Sequence, residues 1–246
     1  IIIPCFNSSR YLEQTLKSII SQSYKIWEVI LIDDNSKDNT FAICKKYRSI
    51  SKKFKIYKNK KNLGPGATRR VALKYITGEY VCFLDSDDYW LKNKLFTQLH
   101  FMKKNNLTLS CTNSLHKKKS VLKREFGTPN ILNYKTLLRH NYIITSTVMI
   151  KSNVIKSSYI KNVGYDDYNL WLNLTKKGNE FHYIDKHLVI YRHVRNSISQ
   201  NKFRAFFWVF RIYLKSQKLN FIESIYFLAI NSFYSIFKKT RYEEIK

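Results

Sequence analysis

Asp85-Ser86-Asp87-Asp88 sets three carboxylates within four residues, directly after the apolar run Val81-Cys82-Phe83-Leu84. A short apolar run bounded by polar residues reads as a buried strand. In an open α/β sheet, ligands sit in the crevice beyond the carboxyl ends of the strands. Acids there suit a divalent cation and a polar ligand, because hard cations prefer oxygen donors. The competing reading is an acidic turn that caps the next helix, with Asp88 as N-cap of a helix starting near Trp90. A second apolar run, residues 27–32, also ends in carboxylates, Asp33-Asp34. A third pair, Asp166-Asp167, opens a stretch with helical apolar spacing at Leu170, Trp171 and Leu174. That pair too has an ordinary reading, as cap and dipole charge at a helix start.

The elements that must position these acids alternate. Residues 1–3 form an apolar run ended by Pro4. After the polar turn Asn7-Ser8-Ser9, helical spacing runs through Leu12, Thr15, Leu16 and Ile19, with Ser8 or Ser9 as N-cap. Strand 27–32 leads through a polar turn into a helix ending at Tyr47, and 54–57 is a short alternating strand. The loop Asn62-Leu63-Gly64-Pro65-Gly66 opens a helix over 67–76, with Gly78 expected as its C′ residue, before strand 80–84. This β-α-β-α-β-α-β order argues for a mostly parallel sheet with helices on both faces. Two strands then deliver Asp pairs at their carboxyl ends, which coincidental capping explains poorly. Neither βα turn carries GxGxxG or a P-loop, so a metal and basic side chains must handle any pyrophosphate.

Further on, the pattern gives a helix over 94–103, a strand over 107–112, a basic loop or hairpin over 116–123, and a helix over 133–139. Strands follow over 145–150, rich in β-branched residues, and over 182–190. From 202 the composition shifts. Phe203, Phe206, Phe207, Trp208 and Phe210 crowd one helix, and 221–237 forms another that is nearly apolar, followed by Lys238, Lys239 and Arg241. Aromatic faces beside basic clusters suit an interfacial helix on anionic lipid; packing against the preceding domain is the alternative. The expected organisation is a domain over 1–200 and a helical segment over 201–246.

With 246 residues and 44% hydrophobic content, one large domain with a real core is expected. Lys and Arg outnumber Asp and Glu by 44 − 17 = 27. That excess attracts nucleic acid, anionic lipid or anionic small molecules, unless it reflects a general enrichment in lysine. Cys5, Cys44, Cys82 and Cys111 show no metal-like spacing, which points to buried thiols in a reducing cytoplasm. No apolar stretch reaches the roughly 18 residues that span a bilayer, and no signal peptide is visible. The chain starts without methionine inside a strand, so an N-terminal edge preceding it is expected.

Five segments in order resemble family 2 glycosyltransferases, nucleotide-sugar enzymes of the GT-A fold. They are Ile1-Ile2-Ile3-Pro4-Cys5-Phe6-Asn7, Ile32-Asp33-Asp34-Asn35-Ser36-Lys37-Asp38, Asn62-Leu63-Gly64, Phe83-Leu84-Asp85-Ser86-Asp87-Asp88 and Asp166-Asp167-Tyr168-Asn169-Leu170-Trp171-Leu172. The resemblance covers about residues 1–200. It implies an α/β, Rossmann-like GT-A fold whose mostly parallel central sheet is flanked by helices, with C-terminal amphipathic helices appended. It further implies an inverting transfer of sugar from a nucleotide donor, a UDP-sugar by analogy, to a glycan or lipid-linked acceptor in envelope polysaccharide synthesis. The implied donor-binding residues are Pro4, Phe6, Asn7, Asp34 (for the nucleobase), Arg69, Asp85 (for the ribose) and Ser86. Asp87 would hold Mg²⁺ or Mn²⁺, and Asp167 would be the general base. Asp33, Asp166 and Trp171 would support these groups.

Three departures stand out. Asp166 replaces the family's usual Glu. Thr68-Arg69-Arg70 stands where Ala-Arg-Asn is common. In Tyr191-Arg192-His193-Val194-Arg195 the histidine comes one position early, leaving Arg192, His193 and Arg195 as candidates to support the leaving group or metal. The resemblance and the aromatic helices together imply a cytoplasmic protein, peripheral on the inner membrane face, with an anionic membrane surface as partner. A nucleotidyltransferase of similar topology is the enzyme alternative. A nucleic-acid-binding protein is the other, although no helix-turn-helix, zinc-finger or RNP-like signature is apparent, and no specific nucleic-acid partner is expected.

Overall fold

The computed structural model describes residues 1–119, 121–125, 127–161, 163–194, 202–237 and 242–245. Strands β1 (Ile2–Cys5), β2 (Val29–Asp33) and β3 (Phe54–Lys58) pair in parallel in that order. Helices α1 (Ser9–Ile20) and α2 (Thr40–Ile50) connect them. Alternation along these buried strands sends side chains to two layers. Ile2, Ile30, Ile32, Val81 and Phe83 join one core. Ile3, Val29, Leu31, Cys82 and Leu84 join the other, against α1 and α2.

Pro4 lies inside β1 opposite Ile32, one residue beyond the expected end. The Ile1 and Cys5 carbonyls accept from Ile30 and Asp34 on the β2 side, whereas the Ile2 carbonyl accepts from Leu84. Backbone direction alternates, so Pro4 faces the Leu84 side. Its missing N–H ends that ladder, and the acids after Leu84 are free to turn away.

Helix α3 (Pro65–Ala72) tightens into a 3-10 turn over Leu73–Tyr75. Gly78 is not among the glycines with positive φ, so it is no C′ residue. Instead the chain leaves extended at Ile76, and the Thr77 N–H donates to Glu28 Oε1 at 2.7 Å. Strands β4 (Tyr80–Cys82) and β5 (Tyr89–Trp90) flank the acidic turn, and α4 (Lys94–Lys104) follows.

The second sheet is mixed. Strand β6 (Leu109–Lys118) forms a hairpin with β7 (Val121–Glu125) and pairs in parallel with β10 (Phe181–Arg192). Strand β8 (Ile131–Leu132) pairs with β10, and β9 (Met149–Lys151) joins β4 to β6. Helices α5 (Tyr134–Arg139) and α6 (Asp166–Thr175) cover it. The strand expected over 145–150 starts only at Met149, because Thr145–Thr147 is a 3-10 turn. There the Thr147 hydroxyl bonds the Ile144 carbonyl at 2.6 Å, a local bond that competes with sheet pairing.

Helices α7 (Lys202–Arg211) and α8 (Phe221–Phe237) flank a π-helical turn, Ile212–Ser216. Val209, Ile212, Tyr213 and Leu228 belong to the same core as Trp171. The Tyr213 hydroxyl lies 3.0 Å from that of Tyr168 and donates to the Leu138 carbonyl. One face of this helical pair therefore packs on the α/β body. A final strand, β11 (Tyr242–Ile245), pairs with β7 through Glu243 and Glu244, which meet Arg124 and Lys123. Among the described residues no helix is long and apolar enough to cross a membrane, and all four cysteines are buried free thiols.

Candidate active site

The β1–α1 turn is locked onto the β2–α2 turn. Asn7 takes a left-handed φ of 47°; its N–H donates to Ser36 Oγ, and its side chain accepts from the Lys37 N–H. The Ser8 N–H donates to Thr40 Oγ1 at 2.7 Å. Asp38 accepts from the Ser9 N–H and from Thr40. Burial opposes ionisation of Asp38, but those donors outweigh it and hold the carboxyl down at about 2. Phe6 stays about half exposed at the rim.

Asp33 and Asp34 are both buried at the end of β2. Asp33 accepts from the Ser36 N–H and faces Lys58 Nζ at 3.6 Å. Asp34 accepts from Asn59 Nδ2, the Leu63 N–H and the Gly64 N–H, at 2.7–2.9 Å. It thereby shapes the loop that opens α3. Three of its roughly four lone-pair directions are engaged.

The three acids of the central turn occupy three different environments. Asp85 is ion-paired with Arg69, and its N–H donates to Ser146 Oγ. Asp88 is fully buried; it accepts from Ser146 Oγ at 2.6 Å and from the Arg192 N–H at 2.9 Å. Asp88 caps no helix, since Tyr89–Trp90 is a strand and Asn93 holds the N-cap position of α4. Burial, reinforced by Asp87 and Asp85, pushes the Asp88 carboxyl well up. Asp87 alone has no described neighbour donating to its carboxylate. Burial and then the Asp85 charge raise it to about 6. Thr15 anchors the turn from α1, donating to the Asp88 carbonyl at 2.7 Å, and Ser8 meets Ser86 at 2.7 Å.

Helix α6 presents the third pair in its first turn. Asp166 accepts from the Val163 N–H and is raised by burial. Asp167 accepts from Thr145 Oγ1 at 2.7 Å and from the Tyr168 N–H at 2.8 Å. Gly66, Arg69, Thr145, Asp166, Asp167 and Trp171 close around one tight crevice. Arg69 is almost wholly buried; burial opposes its charge, but Asp85 and then Asp167 raise its basicity. It links Asp85 of the central turn to the acids of α6. Trp171, buried against Phe83 and Phe181, supports the floor.

Arg192 ends β10 between the rings of Tyr11 and Tyr89, 5.2 and 4.6 Å from their centroids. Its guanidinium donates to the Asp87 carbonyl and to Gln14. His193 turns to His116, with ring nitrogens 3.1 Å apart. Arg195 lies outside the described residues.

A divalent cation fits here through Asp87. A buried carboxyl pushed up by a like-charged neighbour is what a cation relieves. Among the described residues no group of three His, Cys, Asp or Glu could hold a metal. Asp87 would thus meet an ion as a single carboxylate, and substrate phosphates would have to complete its shell.

Residues 1–164 match the family described as Glycosyl transferase family 2. The chain belongs to that family. This family 2 glycosyltransferase is 32% identical to an uncharacterized glycosyltransferase of Haemophilus influenzae, over 97% of this chain and 96% of the relative. It is 34% identical to the Escherichia coli UDP-Glc:alpha-D-GlcNAc-diphosphoundecaprenol beta-1,3-glucosyltransferase WfaP, over 83% of this chain and 80% of WfaP. The GT-A fold is shared with S. aureus TarS 1-349 in complex with UDP-GlcNAc, at a TM-score of 0.69 and 22% identity over 93% of this chain and 69% of that one. The mannosyltransferase PcManGT from Pyrobaculum calidifontis, in complex with GDP-Man and Mn2+, matches at a TM-score of 0.66 and 16% identity, over 89% of this chain and 64% of that one.

Sequence reasoning on this glycosyltransferase missed Thr145 and Ser146, hidden in a β-branched run, and Thr15, which looked like helix filler. It also missed Gly66 as a contact of Asp166: a Cβ there would lie 1.9 Å from Asp166 Oδ2.

Proposed function

We propose that this family 2 glycosyltransferase moves a sugar from a UDP-linked donor to a hydroxyl of a glycan or lipid-linked acceptor in envelope polysaccharide synthesis, with inversion. The observation that carries the reading is Arg69, ion-paired with Asp85 and also drawn by the charge of Asp167, so that one buried cation links the central acidic turn to the start of α6. Asp167 takes the proton of the acceptor hydroxyl as that oxygen bonds the anomeric carbon, while the bond from that carbon to the donor's phosphate oxygen breaks. The electron pair leaves with the nucleoside diphosphate. No covalent enzyme intermediate is needed, and general-base help of this kind is worth roughly 10²–10⁴-fold. Asp85 binds the ribose, and Asp34, Pro4, Phe6 and Asn7 form the nucleobase side. Asp87 would hold Mg²⁺ or Mn²⁺ with the donor diphosphate, and the ion when bound supplies Lewis-acid offset of the leaving charge. Arg192 and Ser86 orient the turn that carries Asp87.

The donor class draws support from WfaP, whose name states UDP-Glc as donor and a diphosphoundecaprenol-linked acceptor. A lipid-linked acceptor also agrees with the exposed apolar residues of α7 and α8. Phe203, Phe207, Phe221 and Ile222 are each more than 60% exposed there, with Arg204, Arg211, Lys215 and Lys218 exposed on the same segment. We therefore infer a peripheral protein on an anionic, cytoplasmic membrane face. The transfer reading is tested by assaying a panel of nucleotide sugars with Mn²⁺ and following nucleoside diphosphate release. Release dependent on both a UDP-sugar and an acceptor supports it, and no turnover of any nucleotide sugar contradicts it.

A further inference from the structure

The 3-10 turn Thr145–Thr147 touches both halves of the site through adjacent hydroxyls. Thr145 Oγ1 donates to Asp167 Oδ2 at 2.7 Å. Ser146 Oγ donates to Asp88 Oδ2 at 2.6 Å and accepts from the Asp85 N–H at 3.1 Å. The turn itself is held from three sides. Trp90 Nε1 donates to the Ser146 carbonyl at 2.8 Å, Gln98 Nε2 to the Thr147 carbonyl at 3.0 Å, and Thr147 closes back on Ile144. All three residues of the turn are buried. A turn this constrained acts as a rigid spacer, because side chains locked by packing and further hydrogen bonds hold a constellation to sub-ångström tolerance.

We propose that this turn sets the spacing between the donor-side acids and the base: Thr145 is a positioning residue for Asp167, and Ser146 for the Asp85–Asp88 turn. The proposal rests on the reading of Asp167 as base. Asp167 has two fixed donors, Thr145 and the Tyr168 N–H, one on each oxygen. Losing the Thr145 donor frees the carboxylate to rotate about its side-chain torsions. A misplacement near 1 Å of a reacting group lowers rate by up to about 10²-fold without touching donor contacts. Ser146 loss acts on the other half, since it leaves a buried Asp88 oxygen short of a donor and loosens the turn that carries Asp87.

The test compares Thr145→Val, Thr145→Ser, Ser146→Ala and Asp167→Asn in the full chain. Turnover is read on whichever UDP-sugar the wild type consumes fastest, and donor-side binding by calorimetry of UDP with Mn²⁺. Thr145→Val should lower kcat roughly tenfold or more with UDP affinity unchanged. Thr145→Ser, which keeps the hydroxyl and loses the methyl, should restore most of that turnover. Ser146→Ala should instead weaken UDP–Mn²⁺ binding. Combined with Asp167→Asn, Thr145→Val should add no further loss, because it acts through that carboxylate. The turn is overturned as a positioning device if Thr145→Val turns over normally, if Thr145→Ser is as poor as Thr145→Val, or if the losses are additive. Normal turnover by Asp167→Asn overturns the base reading and this proposal with it, whereas a dead Asp167→Asn beside a normal Thr145→Val overturns the turn alone.

Discussion

Gly66 and Asp166 touch so closely that a methyl group on Gly66 would sit 1.9 Å from the Asp166 carboxylate oxygen. This backbone-to-carboxylate contact presses α3 onto the start of α6 and brings Arg69 to the acids. Gly66→Ala must therefore separate the two helices. Overpacking of this kind costs about 1–3 kcal/mol, to be read as a lowered urea midpoint. Wild-type stability together with wild-type turnover would show that the contact is dispensable.

Asp38 gives the fold a pH dependence of known sign. Its folded carboxyl lies at about 2, below the ordinary value of 3.8. A lowered folded pKa contributes stability above the unfolded pKa, and that contribution is lost as pH falls towards the folded one. Asp38→Asn should thus be less stable than wild type near neutral pH, by a small margin because exposed groups are screened. The gap should close as pH drops from about 4 towards 2. Urea unfolding of both proteins across that range reads it, and a gap of constant size at all pH values would remove Asp38 as its origin.

The strand ends were legible because apolar runs stop at charges: residues 27–32 ended at Asp33-Asp34 and 80–84 at the central acids, although β2 starts only at Val29 and takes in Asp33, and β4 closes at Cys82, with Phe83 making only a single bridge to Ile2. Helix α6 was legible from its apolar spacing. The 3-10 turn was not, because Thr145, Ser146 and Thr147 carry strand propensity while their hydroxyls bind neighbouring groups. Strand β11 escaped notice because Tyr-Glu-Glu-Ile acquires a partner only through Lys123 and Arg124, more than a hundred residues earlier in sequence. The separate fates of Asp85, Asp87 and Asp88 depend on Arg69, Ser146 and Arg192, and such partners are set by tertiary structure.

We infer that Arg192 acts through its planar, forked guanidinium. Its guanidinium lies between Tyr11 and Tyr89 while donating to the Asp87 carbonyl and Gln14. A lysine ammonium cannot stack and fork at once. Arg192→Lys should therefore weaken UDP–Mn²⁺ binding roughly tenfold or more, close to the effect of Arg192→Met. Calorimetry decides, and full affinity in the lysine variant would show that charge alone suffices.

The exposed aromatic face is best tested by point substitution, since Val209, Tyr213 and Leu228 of the same segment belong to the core and truncation would damage the fold. Phe203→Ser, Phe207→Ser, Phe221→Ser and Ile222→Ser together should leave the melting temperature near wild type. They should lower co-sedimentation with anionic phospholipid vesicles by roughly 100-fold or more. Undiminished vesicle binding by that variant would rule this face out as the anchor.

Asp167 is the proposed base of the sugar transfer, and Asp167→Asn isolates that role. The amide preserves shape and removes the proton acceptor. Turnover with the preferred UDP-sugar should fall by about 10²–10⁴-fold, while calorimetry finds UDP–Mn²⁺ affinity close to wild type. An Asp167→Asn protein that transfers sugar at a near-normal rate would remove Asp167 from that role.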